Sequence, residues 1–174
     1  MNTTQRQLVV WQSGDATGEA GELFVIGESL GYLVNSLARA FARALGDRIG
    51  LHGVTPAQWA VLLVLWAEDG QTQTALSRQV AIEAPTMVRT LDRMERDQLV
   101  TRRRNSHDRR QVNVFLTERG SALRDVLVPC AAAVNEVATR GLDDAERRDA
   151  VDLVQRMLAA LTQSAPPRRG SETR

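Results

Sequence analysis

The sequence predicts a mainly α-helical fold that contains one small β-hairpin. Apolar residues recur at three- and four-residue spacing over most of the 174 positions, as in helices that bury one face. Two short helical segments, 72–80 and 84–97, are separated by only three residues. A stretch of alternating character, RRQVNVFL at 109–116, follows them and indicates a strand.

Positive charge is concentrated at one site of an otherwise nearly neutral chain. The formal net charge is +1, and all 22 basic residues are arginine. Five of these arginines fall within residues 102–110. Because arginine forms bidentate contacts with phosphate and guanine and enters narrow minor grooves, this distribution favours a polyanionic partner more than the net charge does.

Composition excludes several classes of protein. The length suits one domain with a sizeable buried core. No apolar run is long enough to span a membrane, and the N-terminus lacks the basic start and apolar core of a secretory signal. The lone cysteine, Cys130, cannot form an internal disulfide. We therefore expect a soluble cytoplasmic protein without a membrane association.

Residues 1–27 are assigned to an N-terminal extension or arm. Their short apolar runs at 8–11 and 22–26 flank a glycine-rich stretch. These runs fit a hairpin, an arm that packs on a partner chain, or a flexible extension, and the sequence does not choose among them. From residue 28 to residue 50 the apolar spacing predicts a helix.

The next segment predicts a helix-turn-helix. Thr55 and Pro56 begin a helix, because threonine is a good N-cap and proline suits the first helical position. Glycine at Asp69-Gly70 ends it. The two short helices at 72–80 and 84–97 follow, with Pro85 tolerated in the first turn of the second.

A two-stranded hairpin comes directly after this unit. Residues 99–104 predict its first strand, the turn formers at 105–108 its turn, and residues 109–116 its second strand. A hairpin in that place is a wing, so residues 55–117 predict a winged helix-turn-helix with arginines on both strands.

The C-terminal part predicts two more helices. Thr117 caps a long helix in which Pro129 is expected to cause a kink. Gly141 interrupts the pattern, a last helix starts at Asp143 and Asp144, and the tail over 164–174 reads as disordered. The helical regions 28–50 and 118–163 carry apolar stripes that the winged part is too small to bury. We therefore expect them to be dimerisation helices of a homodimer.

Two motifs resemble the MarR (multiple antibiotic resistance regulator) family of transcriptional regulators. HDRRQVNVFLTERG at 107–120 matches the family's wing signature, Asp-x-Arg followed by alternating apolar residues and Leu-Thr-x-x-Gly. VTPAQWAVL at 54–62 matches its second helix, and the order of elements agrees from about Leu30 to Leu161. The resemblance implies a single MarR-like domain over 28–163.

One position departs from the family's pattern. Gln98 stands where the family usually has a glycine that ends the recognition helix in a left-handed conformation. Either Gln98 adopts that conformation, or Asp97 takes the position instead.

The resemblance implies a DNA-binding surface on the second helix of the helix-turn-helix and on the wing. Arg110 matches the residue that the family's wing inserts into the minor groove, and Asp108 matches the carboxylate that orients it. Val88, Leu91 and Met94 follow core spacing and are expected to be buried. The residues expected to contact DNA are Thr86, Met87, Arg89, Thr90, Arg93, Arg102, Arg104, Asp108, Arg109 and Arg110. The alternative interpretation of the hairpin is a solvated loop with a local Asp–Arg pair.

Other chemistry-bearing residues predict less. The family's small ligands enter between the dimer helices and the winged part, where Tyr32 and Trp59 could border a pocket, although both also suit the core. Cys130 lies on an apolar stripe and is expected to be a buried thiol. No metal-ligand spacing, phosphate-cradling loop or catalytic constellation is present, so neither a cofactor nor an enzymatic activity is expected.

The sequence therefore predicts a sequence-specific regulator that binds double-stranded DNA, a ligand-responsive repressor acting as a homodimer on a pseudo-palindromic operator. The alternative is a winged-helix module that binds protein instead of DNA. Arginine on both wing strands argues against the alternative, and a steep salt dependence of DNA binding would distinguish the two.

Overall fold

The computed structural model of the chain describes residues 26–105, 108 and 110–164. The expectations of an N-terminal arm over 1–27 and a disordered tail over 164–174 therefore lie almost wholly outside the described residues, as does Arg109. Internal contacts divide the chain into two compact units, one reaching Val134 and the other beginning at Asn135.

The described elements are seven α-helices, two short 3-10 helices (Ile26–Glu28 and Gly50–His52) and two strands, and the predicted elements occur in the predicted order. The helices and strands are α1 (Leu30–Ile49), α2 (Pro56–Ala67), α3 (Gln73–Gln79), α4 (Ala84–Arg96), β1 (Val100–Arg104), β2 (Val112–Leu116), α5 (Glu118–Ala122), α6 (Arg124–Ala138) and α7 (Asp144–Ser164). The prediction of one long helix after Thr117 is wrong in one respect. The helix is interrupted at Leu123, between α5 and α6, whereas Pro129 lies inside α6.

Hydroxyl side chains begin the helices where the sequence predicts caps. The Thr55 hydroxyl accepts a hydrogen bond from the Gln58 backbone N–H, and the Gln58 side chain accepts one from the Thr55 N–H, which completes a capping box. Thr72 accepts from the Ala75 N–H at α3, and Thr117 accepts from the Gly120 N–H at α5.

The hydrophobic core lies where α2, α4 and the base of the β-hairpin meet. Its fully buried side chains include Ile49, Val61, Leu62, Leu65, Leu76, Met87, Leu91, Met94, Leu99, Val100, Val114 and Leu127. Trp59 is nearly buried and packs edge-on against Trp66, with ring centroids 5.6 Å apart.

Both helices of the helix-turn-helix end in the same way. At α4, the Leu99 N–H donates to the Met94 carbonyl and the Gln98 N–H donates to the Glu95 carbonyl. This is a Schellman motif, and Gln98 occupies its left-handed position with φ 56°, while Asp97 keeps a negative φ. Of the two sequence alternatives, Gln98 takes the position that favours glycine.

The end of α3 repeats that motif. The Ile82 N–H donates to the Ser77 carbonyl and the Ala81 N–H to the Arg78 carbonyl, with Ala81 at φ 55°. This left-handed alanine makes the sharp turn between α3 and α4. The turn therefore requires an uncommon backbone conformation of a residue that carries a Cβ.

The hairpin is antiparallel, with Val100 opposite Leu116 and Arg104 opposite Val112. The loop between α2 and α3 is tied to the outer edge of β2. The Val114 N–H donates to the Gln71 carbonyl at 2.9 Å, and the Asn113 amide donates to the Gly70 carbonyl at 2.7 Å. Since an isolated two-stranded hairpin is only marginally stable, this edge contact helps to hold the hairpin in place.

Gly120 lets α5 approach the end of the recognition helix closely. A Cβ built on Gly120 would overlap the Leu99 carbonyl oxygen, and the Gly120 carbonyl accepts a hydrogen bond from Trp66 Nε1 at 3.0 Å. The Thr117 hydroxyl donates to the Gln98 carbonyl at 2.6 Å. The Leu-Thr-x-x-Gly motif is therefore a packing motif that joins the hairpin to α5.

Helices α1 and α7 each leave apolar side chains exposed in the single chain. On α1 these are Leu30, Leu33, Val34 and Leu37, and on α7 they are Val151, Leu153, Val154, Leu158 and Leu161. Tyr32 is also exposed, so the expectation that it belongs to the core of the chain is wrong. Among the described helices none alone is long and apolar enough to cross a membrane, and one pair, Leu30–His52 with Pro56–Ala67, meets that test only across an 80° bend.

Candidate nucleic-acid interface

Helix α4 presents a polar outer face and a buried inner face. Thr86, Arg89 and Arg93 are exposed, as expected for residues that contact a ligand outside the helix. Their side chains follow the three- and four-residue spacing that places positions on one side of a helix. The major groove of B-DNA, about 12 Å wide, admits an α-helix that presents such a face.

Two of the predicted contacts on α4 are wrong. Met87 is fully buried in the core, and Thr90 is nearly buried, with its hydroxyl donating to the Thr86 carbonyl at 2.9 Å. Neither side chain can reach a ligand from there. Val88, expected to be buried, is instead exposed. The inner face of α4 therefore runs through Met87, Leu91 and Met94.

Side chains of the turn shape the tip of the hairpin. The Asp108 carboxylate accepts hydrogen bonds from the Arg110 backbone N–H and from the Gln111 side-chain amide, each at 3.0 Å. The Asn105 side chain accepts from the Asp108 N–H and donates to Asn113. Asp108 thus fixes the backbone of the tip, in the manner of an Asx turn.

The Arg110 side chain itself projects outward. It is exposed, and its guanidinium makes no hydrogen bond or ion pair with any residue that the structure describes. The carboxylate of Asp108 therefore contacts the backbone of Arg110 and, within the described part of the chain, leaves the guanidinium charge unpaired. Such a cation remains available to an external anion.

Arg102 is different, because two carboxylates of α4 already hold its charge. Its Nη2 lies 2.7 Å from both Asp92 Oδ1 and Glu95 Oε2, and its Nε donates to Glu95 Oε2 at 3.0 Å. These hydrogen bonds raise the pKa of Arg102 and lower the pKa of Glu95, although burial opposes both shifts. We call Arg102, Asp92 and Glu95 the wing clamp. The guanidinium of Arg102 is thus already paired within the chain, and its predicted contact with DNA stays a prediction.

The other two arginines of β1 remain exposed. Arg103 lies over the Phe115 ring, with its Cζ 5.4 Å from the ring centroid. Arg104, at the end of the strand, has no hydrogen bond or ion pair within the described residues. The predicted contact of Arg104 is therefore compatible with its exposure.

A second polar contact ties α2 to the end of α4. The Gln58 amide, which is buried, donates to Asp97 Oδ2 at 3.0 Å, and Arg96 donates to Asp97 Oδ1 at the same distance. Arg96, together with the Gln58 hydrogen bond, lowers the pKa of Asp97 against the opposing effect of burial. The capping glutamine of one helix thereby fixes the C-terminus of another.

The residues proposed for an effector pocket are not brought together by any contact that the structure describes. Trp59 belongs to the core, whereas Tyr32 is exposed on α1. The pocket stays a prediction. Cys130 is half-buried against the core, and its thiol donates to the Val126 carbonyl at 3.3 Å.

Sequence reasoning missed the two carboxylates of the wing clamp and the contact between the α2–α3 loop and β2. Asp92 and Glu95 resemble ordinary surface acids of an amphipathic helix, and their spacing gives no sign of a partner on a strand. Gln71 acts through its backbone carbonyl, which no side-chain pattern reveals. The only sequence signal for the contact with α4 was Arg102, the wing arginine that follows α4 most closely along the chain.

Comparison with known proteins identifies the same region. A model of the MarR family matches residues 54–112. The HTH-type transcriptional regulator TtmR of Methylorubrum extorquens is 33% identical over 121 residues, which are 70% of this chain and 61% of that protein. The chain thus spans less than two thirds of the length of that curated relative.

Solved structures agree over a larger share of their length. A MarR transcriptional regulator from Methanosarcina mazei Go1 has a TM-score of 0.74 at 28% identity, covering 78% of this chain and 98% of that one. BpsR of Bordetella bronchiseptica has a TM-score of 0.69 at 28% identity, covering 75% and 98%. With its helix-turn-helix, wing and flanking helices in the matching order, the chain belongs to the MarR family.

Proposed function

We propose that the chain is a sequence-specific DNA-binding transcriptional regulator that represses by occupying its operator. The observation that carries this proposal is the combination of an exposed polar face on α4 with a hairpin tip whose arginine has no ion pair among the described residues. Thr86, Arg89 and Arg93 supply the first, and Arg110 supplies the second. The alternative of a protein-interaction module does not need an unpaired cation at the tip.

The two parts have different tasks in this proposal. Helix α4 enters the major groove, where Arg89 has the donors for a bidentate contact with guanine. The wing lies along the adjacent minor groove, where Arg110 responds to groove width more than to base identity. Arg104 contacts a phosphate, which adds affinity without adding sequence information.

We propose further that the regulator is a homodimer. The support is the apolar side chains of α1 and α7, such as Leu33 and Leu158, which are exposed in the part of the chain that the structure describes. Leu33 and Leu158 are 47% and 60% exposed, so covering the rest of each contributes roughly half of the ~1.5–3 kcal/mol of a full leucine, and a second copy that covers several such side chains would be favoured. Two recognition helices about 34–36 Å apart then fit successive major grooves of a pseudo-palindromic site.

The proposal includes a small-molecule effector. BpsR is described as a protein whose DNA binding is regulated by 6-hydroxynicotinic acid. By analogy, an effector bound between the dimer helices and the winged part, near Tyr32 and Trp59, would change the separation of the recognition helices. The proposed site of action is the cytoplasm, where the operator is, and no catalytic step is assigned.

The test starts from the full chain without an assumed operator. Duplexes are selected by the chain from a random library, and binding is followed by fluorescence anisotropy at several salt concentrations. We expect tight binding, and the logarithm of the association constant should fall with log[salt] at a slope of about −0.9 for each neutralised phosphate. Failure to bind any duplex even at low salt would favour the protein-interaction module.

The oligomeric state is measured in parallel by sedimentation at micromolar concentration. We expect about twice the chain mass, since isologous dimers are the commonest assemblies of this kind. A stable monomer that binds a full operator tightly would contradict the dimer.

A further inference from the structure

Arg102 stands apart from the other arginines of the wing. Its side chain is 25% exposed, and its guanidinium fork is occupied by two carboxylates. Arg104 lies two residues further on the same strand and the same face, yet it is exposed and unpaired within the described residues. The two arginines therefore cannot act in the same way.

The carboxylates that Arg102 holds belong to the recognition helix. Asp92 and Glu95 lie on α4 beside the exposed Arg93, and their side chains are 52% and 39% exposed. Unpaired carboxylates on a helix in the major groove would repel the phosphates on either side. The single positive charge of Arg102 offsets one of the two negative charges, and its guanidinium contacts both carboxylates.

The clamp also holds the free edge of β1. The Arg102 backbone N–H donates to Glu95 Oε1 at 3.1 Å, while its opposite neighbour in the hairpin, Val114, donates to the Gln71 carbonyl. Residues 102 and 114 thus form a pair whose N–H groups point outward. One edge of the wing is fixed to α4 and the other to the loop before α3.

We propose that Arg102 is a positioning residue of the DNA interface and not a phosphate contact. It fixes the wing relative to α4 and masks part of the negative charge of two carboxylates that lie on the recognition helix. This inference rests on the proposed function, since it describes how the same interface is kept attractive to a polyanion. In this proposal Asp92 and Glu95 hold the wing in place, although their negative charge alone would weaken the binding of a polyanion.

A double-mutant design separates masking from direct contact. Arg102→Gln is made in the parent chain and in an Asp92→Asn/Glu95→Gln background, where nothing remains to be masked. In the parent we expect binding to the selected duplex to weaken about tenfold, and in the neutral background by less than about twofold. Arg104→Gln is the matched control, and it should cost the same factor in both backgrounds.

Two results would overturn the proposal. One is an equal loss for Arg102→Gln in both backgrounds, which would mean a direct phosphate contact. The other is no loss in the parent, which would mean that the clamp does not serve the interface. If Arg102→Gln fails to fold in the parent, Arg102→Lys replaces it. Lysine keeps the charge but lacks the forked guanidinium. Arg102→Lys should therefore weaken duplex binding less than Arg102→Gln in the parent, and again very little in the neutral background.

Hydrogen exchange without DNA distinguishes failure of this inference from failure of the proposed function. Glu95→Ala should speed exchange of the Arg102 amide at least about tenfold, because it removes the acceptor of that N–H. Glu136→Ala, an exposed acid of α6, is the control and should leave it unchanged. A chain that shows this exchange but binds no duplex would refute the regulator and leave the clamp as a contact that only holds the wing.

Discussion

Replacing Gln98 with glycine should stabilise the protein, although most substitutions destabilise proteins. Gln98 has φ 56° in the left-handed position of the Schellman motif that ends α4. Its side chain is exposed and makes no hydrogen bond with any described residue, so Gln98→Gly removes no contact of that kind. The carbonyl that accepts from the Thr117 hydroxyl is kept.

The size of the effect follows from two opposing terms. A left-handed conformation costs a residue with a Cβ about 1–2 kcal/mol, which glycine does not have to meet. Glycine also makes the unfolded chain more flexible, which costs about 0.4–1 kcal/mol. The difference lies between about 0 and 1.6 kcal/mol, and its central value of about 0.8 kcal/mol in the free energy of unfolding corresponds to a rise in Tm of roughly 2–3 °C for a chain of this length.

Urea denaturation at a fixed protomer concentration measures this gain, since a dimer's stability depends on concentration. The control is Gln79→Gly, which replaces an exposed glutamine at the last residue of α3, where the backbone is helical, and should lower stability because glycine disfavours the helix and the hydrogen bond to Gln71 is lost. A Gln98→Gly protein no more stable than the parent would refute the assignment of backbone strain to this position.

Three further substitutions or conditions test other parts of the fold. Gly120→Ala should destabilise by about 3 kcal/mol in urea, near the upper end of the usual cost of overpacking, because the new Cβ would overlap the Leu99 carbonyl, whereas Gly141→Ala, with open space around it, should not. Near-parental stability of Gly120→Ala would contradict that close approach. Cys130→Ser should leave any peroxide response of DNA binding unchanged; a response present in the parent and lost in the variant would make this thiol a sensor. Because the wing clamp lowers the pKa of Glu95, its stabilisation should be fully present above the carboxyl's ordinary pKa of 4.5 and lost as the pH falls through the lower folded value. Calorimetry across that range should show that the stability of Glu95→Gln falls less steeply at acid pH than that of the parent. Identical pH dependences would argue against the Arg102–Glu95 pair.

The sequence predicts the order of elements well, because caps and apolar periodicity are local signals. Thr55 and Pro56 begin α2 as expected, and the hairpin follows the recognition helix. It is harder to predict from the sequence which side of α4 is buried. Met87 and Val88 both fit three- and four-residue spacing to Met94, and only the packing against α2 decides that Met87 is buried.

The candidate site could be predicted only in outline. The strand pattern places Arg102 and Arg104 on one face, but it does not show that carboxylates of α4 lie beside the first of them. Long-range partners of this kind depend on how elements meet in space. The left-handed Ala81 is likewise invisible in the sequence, because alanine gives no turn signal.

The central claim is that α4 and the wing bind DNA, and salt titration of Arg110→Ala tests it most directly. Each protomer of this variant should lose one phosphate or minor-groove contact, so the salt slope should fall by about one unit per protomer on both selected and scrambled duplexes. Arg89→Ala should instead relax base preference at one position of each half-site, by about 1–3 kcal/mol. Arg124→Ala, an exposed arginine of α6, is the control and should change neither. If Arg110→Ala leaves both affinities and both slopes unchanged, the hairpin is a solvated loop and the account is contradicted.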